Sequence, residues 1–503
     1  MVKTLAELLA SQESVAERPA LLFEDRVYTY AELEALSNRV GHVLIGQGLQ
    51  PSDVVCQVAR SRPELIFNLF GILKSGAIYA PLNPSLIQRE LAAQLTDCQP
   101  SLVIADEELA EGTVASAVAG LPGCRVWSIG ELITRARKMS ASPPDRSIDP
   151  EGPALLFYTS GTTGRSKGVQ LSHMNVLINA EQFLARTGIK PDDRLLVIMP
   201  IFHANALCNQ VVVPFLAGAA IALRPRFVLE EFWPCVAHYR PTYFTAVPTI
   251  LSRLLEGPAP APELDVSSLR FVRTGAAPLS LELQRRFEAR FGLPVIVSYG
   301  LTEATCTVTM NPPSHEARRL GSVGTALDGV EVRVLGPEGA EESVGSVGEV
   351  GVRGPTVMLG YRGLPDATKD AIPDGWLRTG DLGYLDRDGH LFLTDRKKDI
   401  IIRGGENISA REIEEVLHAH PLVQEAAIVG APDSEFGEVV VGFVVLRSTV
   451  QIQGRADEVL LAHCRDRLAR FKVPTRIEVL KEIPKNAVGK VAKQELRGRA
   501  NPK

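Results

Sequence analysis

Two hydrophobic patterns alternate along much of the chain. Within residues 15–150, apolar residues at helical spacing alternate with short β-branched runs such as VVCQVA, AIYAPL and SLVIAD. The alternation continues in RLLVIMP, YFTAVP, LRFVRTG and LPVIVSYG. This pattern is typical of an α/β fold, in which a parallel sheet carries helices on both faces. We therefore predict a large α/β region.

The pattern changes twice in the later part of the chain. After Gly321, short strands separated by many glycines, as in VEVRVLGPEG and GEVGVRGP, predict a β-rich antiparallel section. From about Asp399, the order is helix 410–420, strands AAIVGAPD and VVVGFVVL, helix 456–470 and strand RIEVL, which predicts a small α+β domain. The charged run DRKKD that ends at Asp399 is predicted to be an exposed joint, and a solvated turn is the alternative.

One long segment is almost entirely apolar. No Asp, Glu, Lys or Arg lies between Arg194 and Arg224. A membrane helix needs about 20 consecutive apolar residues, but Pro200, His203 and Pro214 are among the residues that interrupt this segment. We predict a buried strand–loop–helix passage and no membrane span. The N-terminal run MVKTLAELLASQESVAERP lacks the apolar region of a signal peptide and is predicted to form an amphipathic helix.

Composition and charge exclude several function classes. The chain has 503 residues, of which 45% are hydrophobic and 22% charged, so it can bury a core without disulfides. The chain has 54 basic and 59 acidic residues, which gives a net charge of -5. This charge provides no positive field that would attract nucleic acid. The seven cysteines include no CxxC pair. Neither a disulfide framework nor a zinc site is predicted, and a reducing, cytoplasmic location is expected.

The clearest local signal is a glycine-rich loop. The run FYTSGTTGRSKG, Phe157 to Gly168, follows an apolar strand and precedes a helix-like stretch. Its glycines permit tight turns with inward N–H groups, its hydroxyls add donors, and Lys167 adds a positive charge. These features predict a loop that holds a polyphosphate, although the GxxxxGK[ST] spacing is absent. The alternative is a Ser/Gly hairpin without a ligand.

This loop resembles the phosphate loop of the adenylate-forming superfamily, which includes acyl-CoA synthetases, carrier-loading adenylation domains and luciferases. Ser166 stands where that superfamily usually has Pro. Further segments resemble its motifs in the same order: PIFHANA, TGAAPLS, SYGLTE, WLRTGD, DRKKDIIIRGGENIS and PKNAVGK. The ordered set is far more specific than any one motif. The chain is therefore identified as a member of this superfamily that resembles AMP-forming acid–CoA ligases.

The resemblance implies a division of the chain. A large N-terminal domain, 1–395, would contain two αβ sheet subdomains and a small β-barrel-like section. A hinge at 396–398, with Lys398 at the hinge position, would lead to a small mobile α+β domain, 399–503. One orientation of the small domain would place Lys490 in the site for adenylation, and the other would withdraw it and admit coenzyme A.

The resemblance also implies an ATP site. Lys490 is expected to bridge the attacking carboxylate and the α-phosphate, and Thr302 to donate to that phosphate. Glu303 is expected to hold Mg²⁺, Tyr299 to stack on adenine, and Asp381 to accept hydrogen bonds from ribose. The residues expected to bind ATP are Thr159, Ser160, Gly161, Thr162, Thr163, Gly164, Lys167, Gly275, Ala276, Ala277, Tyr299, Gly300, Thr302, Asp381, Arg396 and Lys490. Without the resemblance, Lys490 would be interpreted as a surface lysine and the Thr302–Glu303 pair as a helix cap. Tyr299 would be interpreted as a core aromatic and Asp381 as a turn former.

Two further sites are implied. Gly404 and Gly405 are expected at the tunnel for the pantetheine arm of coenzyme A, because a narrow arm passes close to backbone. His203 is expected to act in catalysis as the gate between this tunnel and the acyl pocket; a satisfied core histidine is the alternative. The acyl pocket is expected to be lined by His203, Ala204, Asn205, Ala276 and Gly300.

Two positions narrow the acid substrate. Amino-acid-activating relatives carry Asp where this chain has His203, which disfavours an amino acid. Acetate-type relatives carry Trp where this chain has Gly300, so the pocket floor is predicted to be open. Asn205, Asn209 and Gln210 either meet a polar group of the acid or satisfy buried backbone. Medium-chain, aryl, dicarboxylic and polycyclic acids all stay open.

Three functions are compared. The first is an acid–CoA ligase that uses ATP, Mg²⁺ and coenzyme A on a small carboxylic acid. The second is a stand-alone adenylating enzyme that stops at acyl-AMP or loads an acyl carrier protein. The third is a non-catalytic nucleotide-binding relic, which the joint presence of Lys490, Glu303, Thr302, Asp381 and Arg396 disfavours. A monomer and a homodimer both stay open.

Overall fold

Four β-sheets organise the chain. The computed structural model describes residues 2–159, 166–275, 277–314, 317–447, 455–486 and 489–501. Within these residues, two large mixed sheets, one small antiparallel sheet and one smaller mixed sheet are present. This arrangement confirms the predicted α/β fold class with a large N-terminal part and a small C-terminal part.

The first large sheet has seven strands. In spatial order they are Gly360–Tyr361, Lys167–Ser172, Pro153–Thr159, Ile78–Leu82, Val54–Val58, Leu102–Ala105 and Arg125–Ser128. The last five run parallel, whereas the first two are antiparallel to their neighbours. Every residue of Val54–Val58 and Ile78–Leu82 is buried. Such burial is expected where helices cover both faces of a parallel sheet.

The second large sheet has nine strands. In spatial order they are Thr325–Ala326, Thr309–Met310, Val295–Tyr299, Phe271–Thr274, Tyr243–Ala246, Arg194–Val197, Ala220–Leu223, Pro19–Phe23 and Arg26–Thr29. The six strands from Val295–Tyr299 to Pro19–Phe23 run parallel, and the edges are antiparallel. The N-terminal hairpin therefore completes a sheet built mainly from the middle of the chain.

The two smaller sheets follow. The antiparallel sheet contains Glu331–Leu335, Gly348–Arg353, Leu377–Leu385 and Leu391–Arg396. The C-terminal sheet contains Glu406–Ile408, Ile401–Arg403, Gly437–Leu446, Val423–Asp433 and Arg476–Val479. In the described residues, each strand of this last sheet comes from beyond residue 400, which is consistent with a separate C-terminal unit.

Helices cover the two large sheets and both faces of the C-terminal sheet. The α-helices are Tyr30–Gly46, Pro63–Lys74, Gln88–Cys98, Glu107–Leu109, Ala115–Val118, Ile129–Ala136, His173–Thr187, Ala204–Leu207, Val213–Leu216, Leu229–Tyr239, Pro248–Glu256, Leu281–Phe291, Pro365–Ala371, Ala410–His418, Ala456–Arg465 and Lys493–Ala500. Tighter or wider helical turns are Leu5–Glu7, Ala10–Val15, Ala110–Val114, Cys208–Val212, Thr302–Ala304, Pro373–Gly375, Lys397–Asp399 and Arg470–Lys472.

The N-terminal prediction of one amphipathic helix is wrong. The segment forms two separate turns, Leu5–Glu7 and Ala10–Val15, and the backbone of Gln12 leaves the helical region. The Ser11 hydroxyl donates to the Leu8 carbonyl at 2.7 Å. Such a local hydrogen bond competes with regular helix formation.

The apolar segment between Arg194 and Arg224 is buried as predicted. A strand leads through a loop into three consecutive helical turns over 204–216 and then into the strand Ala220–Leu223. None of the helices in the described part of the chain combines the length and apolar character needed to cross a bilayer.

The C-terminal unit contacts the large part at defined points. The Thr249 hydroxyl donates to the Gly489 carbonyl at 3.2 Å. Arg447 forms an ion pair with Glu256, which also binds Arg286 at 3.1 Å. The first contact holds Gly489, directly before Lys490, against the large part, and the second holds Arg447.

Candidate active site

The candidate site lies where parallel strands of the two large sheets end. Thr159 is the last residue of one strand, and Gly275 and Gly300 each directly follow a strand. Ligands in open α/β folds commonly bind at the carboxyl ends of strands. Ala277 lies just beyond and is half-buried. Ser160, Gly161, Thr162, Thr163, Gly164 and Ala276 lie outside the described residues.

The glycine-rich loop joins two antiparallel strands. Thr159 pairs with Lys167 across the ladder, and the next strand runs to Ser172 before a helix begins at His173. The predicted helix-like stretch after the loop is confirmed as the helix His173–Thr187, and the strand Lys167–Ser172 separates the loop from it. Any phosphate contact would therefore come from the loop itself rather than from the N-terminus of that helix.

Asp381 is held from two sides. The Tyr299 hydroxyl donates to Oδ2 of Asp381 at 2.8 Å, and Arg396 Nε donates to Oδ1 at 2.6 Å. Asp381 and Tyr299 are buried, whereas the Arg396 side chain is half-exposed. Burial and the neighbouring carboxylate raise the pKa of Tyr299 well above its usual value, so it stays a hydrogen-bond donor. Tyr299 lies 82 positions before Asp381 in the sequence, and Arg396 lies 15 positions after it.

Glu303 is part of a second cluster. The Tyr361 hydroxyl donates to Glu303 Oε1 at 3.1 Å, and Lys167 Nζ lies 4.6 Å from the centre of the Tyr361 ring. Thr302 and Glu303 lie in the short turn Thr302–Ala304, and Met358 N donates to Glu303 O at 2.9 Å. Tyr361 thus links the lysine of the glycine-rich loop to the carboxylate predicted to hold metal.

The chemistry of Glu303 fits the predicted cation. One carboxylate oxygen is engaged by Tyr361, and the described residues place no hydrogen bond on the other. Mg²⁺ prefers oxygen ligands and is commonly held by one or two carboxylates together with substrate phosphates. A single glutamate near a polyphosphate loop satisfies that requirement.

Lys490 reaches the same region from the C-terminal unit. Its N–H donates to Asn486 Oδ1 at 3.0 Å, which shapes the turn that carries it. Burial together with Arg396 lowers the pKa of Lys490 to about 8. Asp381 and Glu303 act in the opposite direction, which means that the ammonium lies within electrostatic range of both carboxylates. The structure therefore brings Lys490 together with the two clusters.

His203 lies within electrostatic range of this lysine. Its Nε2 is buried with no hydrogen-bond partner among the described residues, an arrangement unlike that of a satisfied core histidine. Burial and the positive charge of Lys490 lower the pKa of His203 to about 3, so the imidazole is neutral at ordinary pH. Its ring packs on Phe202 with the centroids 4.2 Å apart.

Close packing against the backbone explains the glycine at position 300. A Cβ added there would lie 2.1 Å from the Cys306 carbonyl oxygen. Only glycine fits this close approach without movement of the backbone. Gly300 therefore does not by itself indicate an open pocket floor. Ala204, at the predicted pocket wall, is 6% exposed, and Asn205 beside it is half-buried.

Gly404 and Gly405, which are predicted at the tunnel for coenzyme A in the second orientation, are exposed. They form the exposed turn between Ile401–Arg403 and Glu406–Ile408, with φ of +59° and +88°. A two-residue hairpin of this kind favours glycine, so the turn explains both residues. Lys398 lies in the exposed turn just before this hairpin.

Family comparisons agree with this geometry. Residues 9–362 match the AMP-binding enzyme family, and residues 412–490 match the AMP-binding enzyme C-terminal domain. The chain belongs to the AMP-binding enzyme family. The predicted membership of the adenylate-forming superfamily is confirmed, while neither match tests the boundary at 395–399.

Curated relatives of this AMP-binding enzyme are CoA ligases. A sulfoacetate–CoA ligase of Cupriavidus necator is 35% identical over 98% of this chain and 97% of its own length. A feruloyl-CoA synthase of Amycolatopsis is 37% identical over 94% of both chains. The predicted enzyme class, an acid–thiol ligase, is confirmed by these relatives.

Solved structures share the fold throughout. ATP-bound MatB from Rhodopseudomonas palustris has a TM-score of 0.90 at 32% identity and covers 98% of each chain. The o-succinylbenzoate CoA synthetase of Bacillus subtilis, in complex with its acyl-adenylate intermediate, has a TM-score of 0.85 at 31% identity over 98% of each chain.

Sequence reasoning missed Tyr361 and Arg273. Tyr361 pairs with Val169 across nearly two hundred positions, and no local pattern marks that contact. Arg273 is one of two arginines in the run LRFVRTG, and it follows the apolar pair Phe271 and Val272. A charged residue in a buried strand is rare, and that signal was available in the sequence.

Proposed function

We propose that this AMP-binding enzyme activates a carboxylic acid with ATP and transfers the acyl group to coenzyme A. In the first step a carboxylate oxygen attacks the α-phosphorus and pyrophosphate leaves. In the second, the thiol attacks the acyl carbon and AMP leaves. The supporting observation is the half-buried Lys490, which the C-terminal unit brings within electrostatic range of Asp381, Arg396 and Glu303.

Each side chain has a task in adenylation. Asp381 accepts hydrogen bonds from the ribose hydroxyls while Tyr299 and Arg396 fix its orientation. Lys490 places positive charge between the acid and the α-phosphate, where negative charge accumulates. Thr302 and Lys167 contribute a hydroxyl and a charge to the phosphates. Mg²⁺ held by Glu303 would neutralise further phosphate charge when bound.

The second step uses another placement of the C-terminal unit. Rotation about Lys398 breaks the contact between Thr249 and Gly489 and the pair between Glu256 and Arg447. Lys490 then leaves, and the hairpin with Gly404 and Gly405 approaches the space near the acyl pocket. The exposed position of this hairpin supports such a movement.

The acid is not an amino acid. A neutral His203 stands where an Asp would bind an ammonium group. The relatives are named for chemically diverse acids, among them sulfoacetate, ferulate, indoleacetate and oxalate. Coenzyme A is preferred to a carrier protein as acceptor because the curated relatives are CoA ligases.

A panel of carboxylic acids tests this function. AMP release is measured with ATP and Mg²⁺, with and without coenzyme A, and acyl-CoA is detected by mass. We expect AMP release that requires one class of acid and increases with coenzyme A. AMP release without acyl-CoA would favour the stand-alone adenylating enzyme, and ATP binding without pyrophosphate release would favour the relic.

A further inference from the structure

Arg273 is an unusual buried residue. It is 2% exposed and is the largest of the almost fully buried side chains in the described residues. It lies on the strand Phe271–Thr274, directly before the Thr274–Gly275 segment of the predicted acyl and adenine site. Its side chain points to the face of the sheet that Phe183 covers, with the guanidinium 5.2 Å from that ring.

Its partners are all neutral. One terminal nitrogen donates to Asn205 Oδ1 at 3.0 Å and the other to Thr307 Oγ1 at 3.4 Å, while Nε has no partner. In the part of the chain that the structure describes, no carboxylate forms an ion pair with it. Arg318 is a useful contrast, because its 3% exposed side chain is paired with Glu288 at 2.6 Å.

An unpaired buried charge is costly, because transfer out of water is compensated only by a counter-charge or good hydrogen bonds. Burial lowers the pKa of Arg273 to about 10, which still leaves the guanidinium charged at neutral pH. Fewer than half of its five N–H donors are used by the contacts above. A bound anion would satisfy both the charge and the unused donors.

The position connects this charge to the acyl pocket. Asn205, which accepts from Arg273, follows His203 by two residues and is half-buried. A Cβ at Gly275 would lie 3.5 Å from a terminal nitrogen of Arg273. Beside them, Asn209 donates to Thr307 at 3.1 Å. The surroundings of Arg273, next to Asn205 of the predicted pocket, are therefore polar and positively charged.

We propose that Arg273, reached through Asn205, binds a second anionic group at the far end of the acid. This inference rests on the proposed function and names the substrate class as acids with a terminal carboxylate or sulfonate besides the activated carboxylate. A guanidinium presents parallel donors that match a carboxylate in a two-point contact. Asn205 would turn its amide group to donate to the same anion.

Matched acids test the inference. Succinate is compared with butyrate, adipate with hexanoate, and sulfopropionate with butyrate, using kcat/KM for AMP release with coenzyme A. We expect at least one anionic member to exceed its neutral match by about 100-fold or more, because buried polar groups reject an analogue that leaves them unpaired. A difference between the carboxylate and sulfonate arms identifies the terminal group.

The Arg273→Met variant is assayed on the same pairs of acids as the wild-type enzyme. We expect the preference for the anionic acid to disappear, mainly through KM, while activity on the neutral acid is kept or rises. Arg273→Lys should retain part of the preference. If Arg273→Met lowers kcat/KM for every acid to the same extent, the inference is wrong and the residue is structural.

Thermal unfolding also distinguishes an anion-binding role of Arg273 from a structural role. Arg318→Met removes the counter-charge of Glu288 and should lower the melting temperature. Arg273→Met removes a charge that has no counter-ion among the described residues and should keep or raise the melting temperature. A loss for Arg273→Met as large as that for Arg318→Met would contradict the inference.

Direct binding separates this inference from the proposed function. Adipate, succinate and sulfopropionate are titrated calorimetrically into the wild type and Arg273→Met without ATP. Binding that depends on Arg273 without any AMP release would support the anion site and contradict the proposed function. AMP release without preference for anionic acids would support the function and overturn the anion site.

Discussion

The Tyr299 hydroxyl and the Asp381 carboxylate lie 2.8 Å apart and connect the end of a central strand to the antiparallel sheet. Because Arg396 binds the other carboxylate oxygen, Asp381 is fixed before any nucleotide arrives. A carboxylate oriented in advance binds ribose hydroxyls at a lower entropic cost.

Tyr299→Phe removes this hydrogen bond and keeps the ring. A hydrogen bond to a charged group contributes about 1.5–3 kcal/mol, so we expect KM for ATP to rise about tenfold or more, with a smaller change in kcat. Initial rates of AMP formation over a range of ATP concentrations measure this. Tyr384→Phe is the control, because Tyr384 stacks on Phe392 at 5.0 Å within the antiparallel sheet. Equal KM values for the two variants would contradict the prediction.

Lys490→Ala should separate the two half-reactions. We expect pyrophosphate release to fall by about 10²-fold or more, the effect of removing one electrostatic stabiliser, while thioester formation from supplied acyl-AMP is largely kept. Lys485→Ala is the control on the same turn, because Lys485 pairs with Glu425 at 2.6 Å inside the C-terminal unit. A loss of both half-reactions in Lys490→Ala would assign the lysine a different task.

The adenylation rate should decline at alkaline pH. The pKa of Lys490 is lowered to about 8, so the ammonium is present below that pH and is lost above it. Because kcat/KM reports the free enzyme, its value for adenylation should fall as pH rises through about 8. Lys490→Arg stays charged over this range, and its residual activity should lack the alkaline decline. The same decline in Lys490→Arg would mean that another group titrates.

The pair between Glu256 and Arg447 should favour the adenylation placement. A partly exposed ion pair contributes up to about 1 kcal/mol, roughly fivefold in an equilibrium. Arg447→Ala should therefore lower adenylation by up to that factor and leave thioester formation from acyl-AMP unchanged or faster. Arg286→Ala also removes a partner of Glu256, but within the large part, and should not change the ratio of the two rates.

Gly300→Ala should be destabilising. The added Cβ would lie 2.1 Å from the Cys306 carbonyl oxygen, and such overpacking commonly costs about 1–3 kcal/mol. We expect a lower melting temperature and weaker ATP binding. Gly46→Ala, at a helix end with nothing within 4 Å of its Cβ, should have a neutral or slightly positive effect. An unchanged melting temperature in Gly300→Ala would contradict the close approach.

Local sequence patterns predicted which segments form helices and strands better than they predicted which segments pair. The burial of Val54–Val58 and the helix around Ala410–His418 followed from periodicity alone. The strand Lys167–Ser172 was missed because its role depends on pairing with Pro153–Thr159. The N-terminal turns were missed because a side-chain hydrogen bond from Ser11 decides them.

The candidate site shows the same limit. Motif order pointed to Asp381, Glu303 and Lys490, but a motif carries no information about which atoms meet. The glycine at 300 was attributed to pocket depth, whereas the carbonyl of Cys306 requires it. Arg273 could have been noticed as a charge within an apolar strand, but its lack of a counter-ion is visible only in three dimensions.

The pairing of Leu21 with Ile221 has a consequence for biosynthesis. A ribosome adding about 5–20 residues per second releases the N-terminal hairpin roughly 10–40 s before its partner strand exists. During that interval the edge of Pro19–Phe23 is open to other nascent chains. We expect this hairpin to be where chaperones act first on the emerging polypeptide.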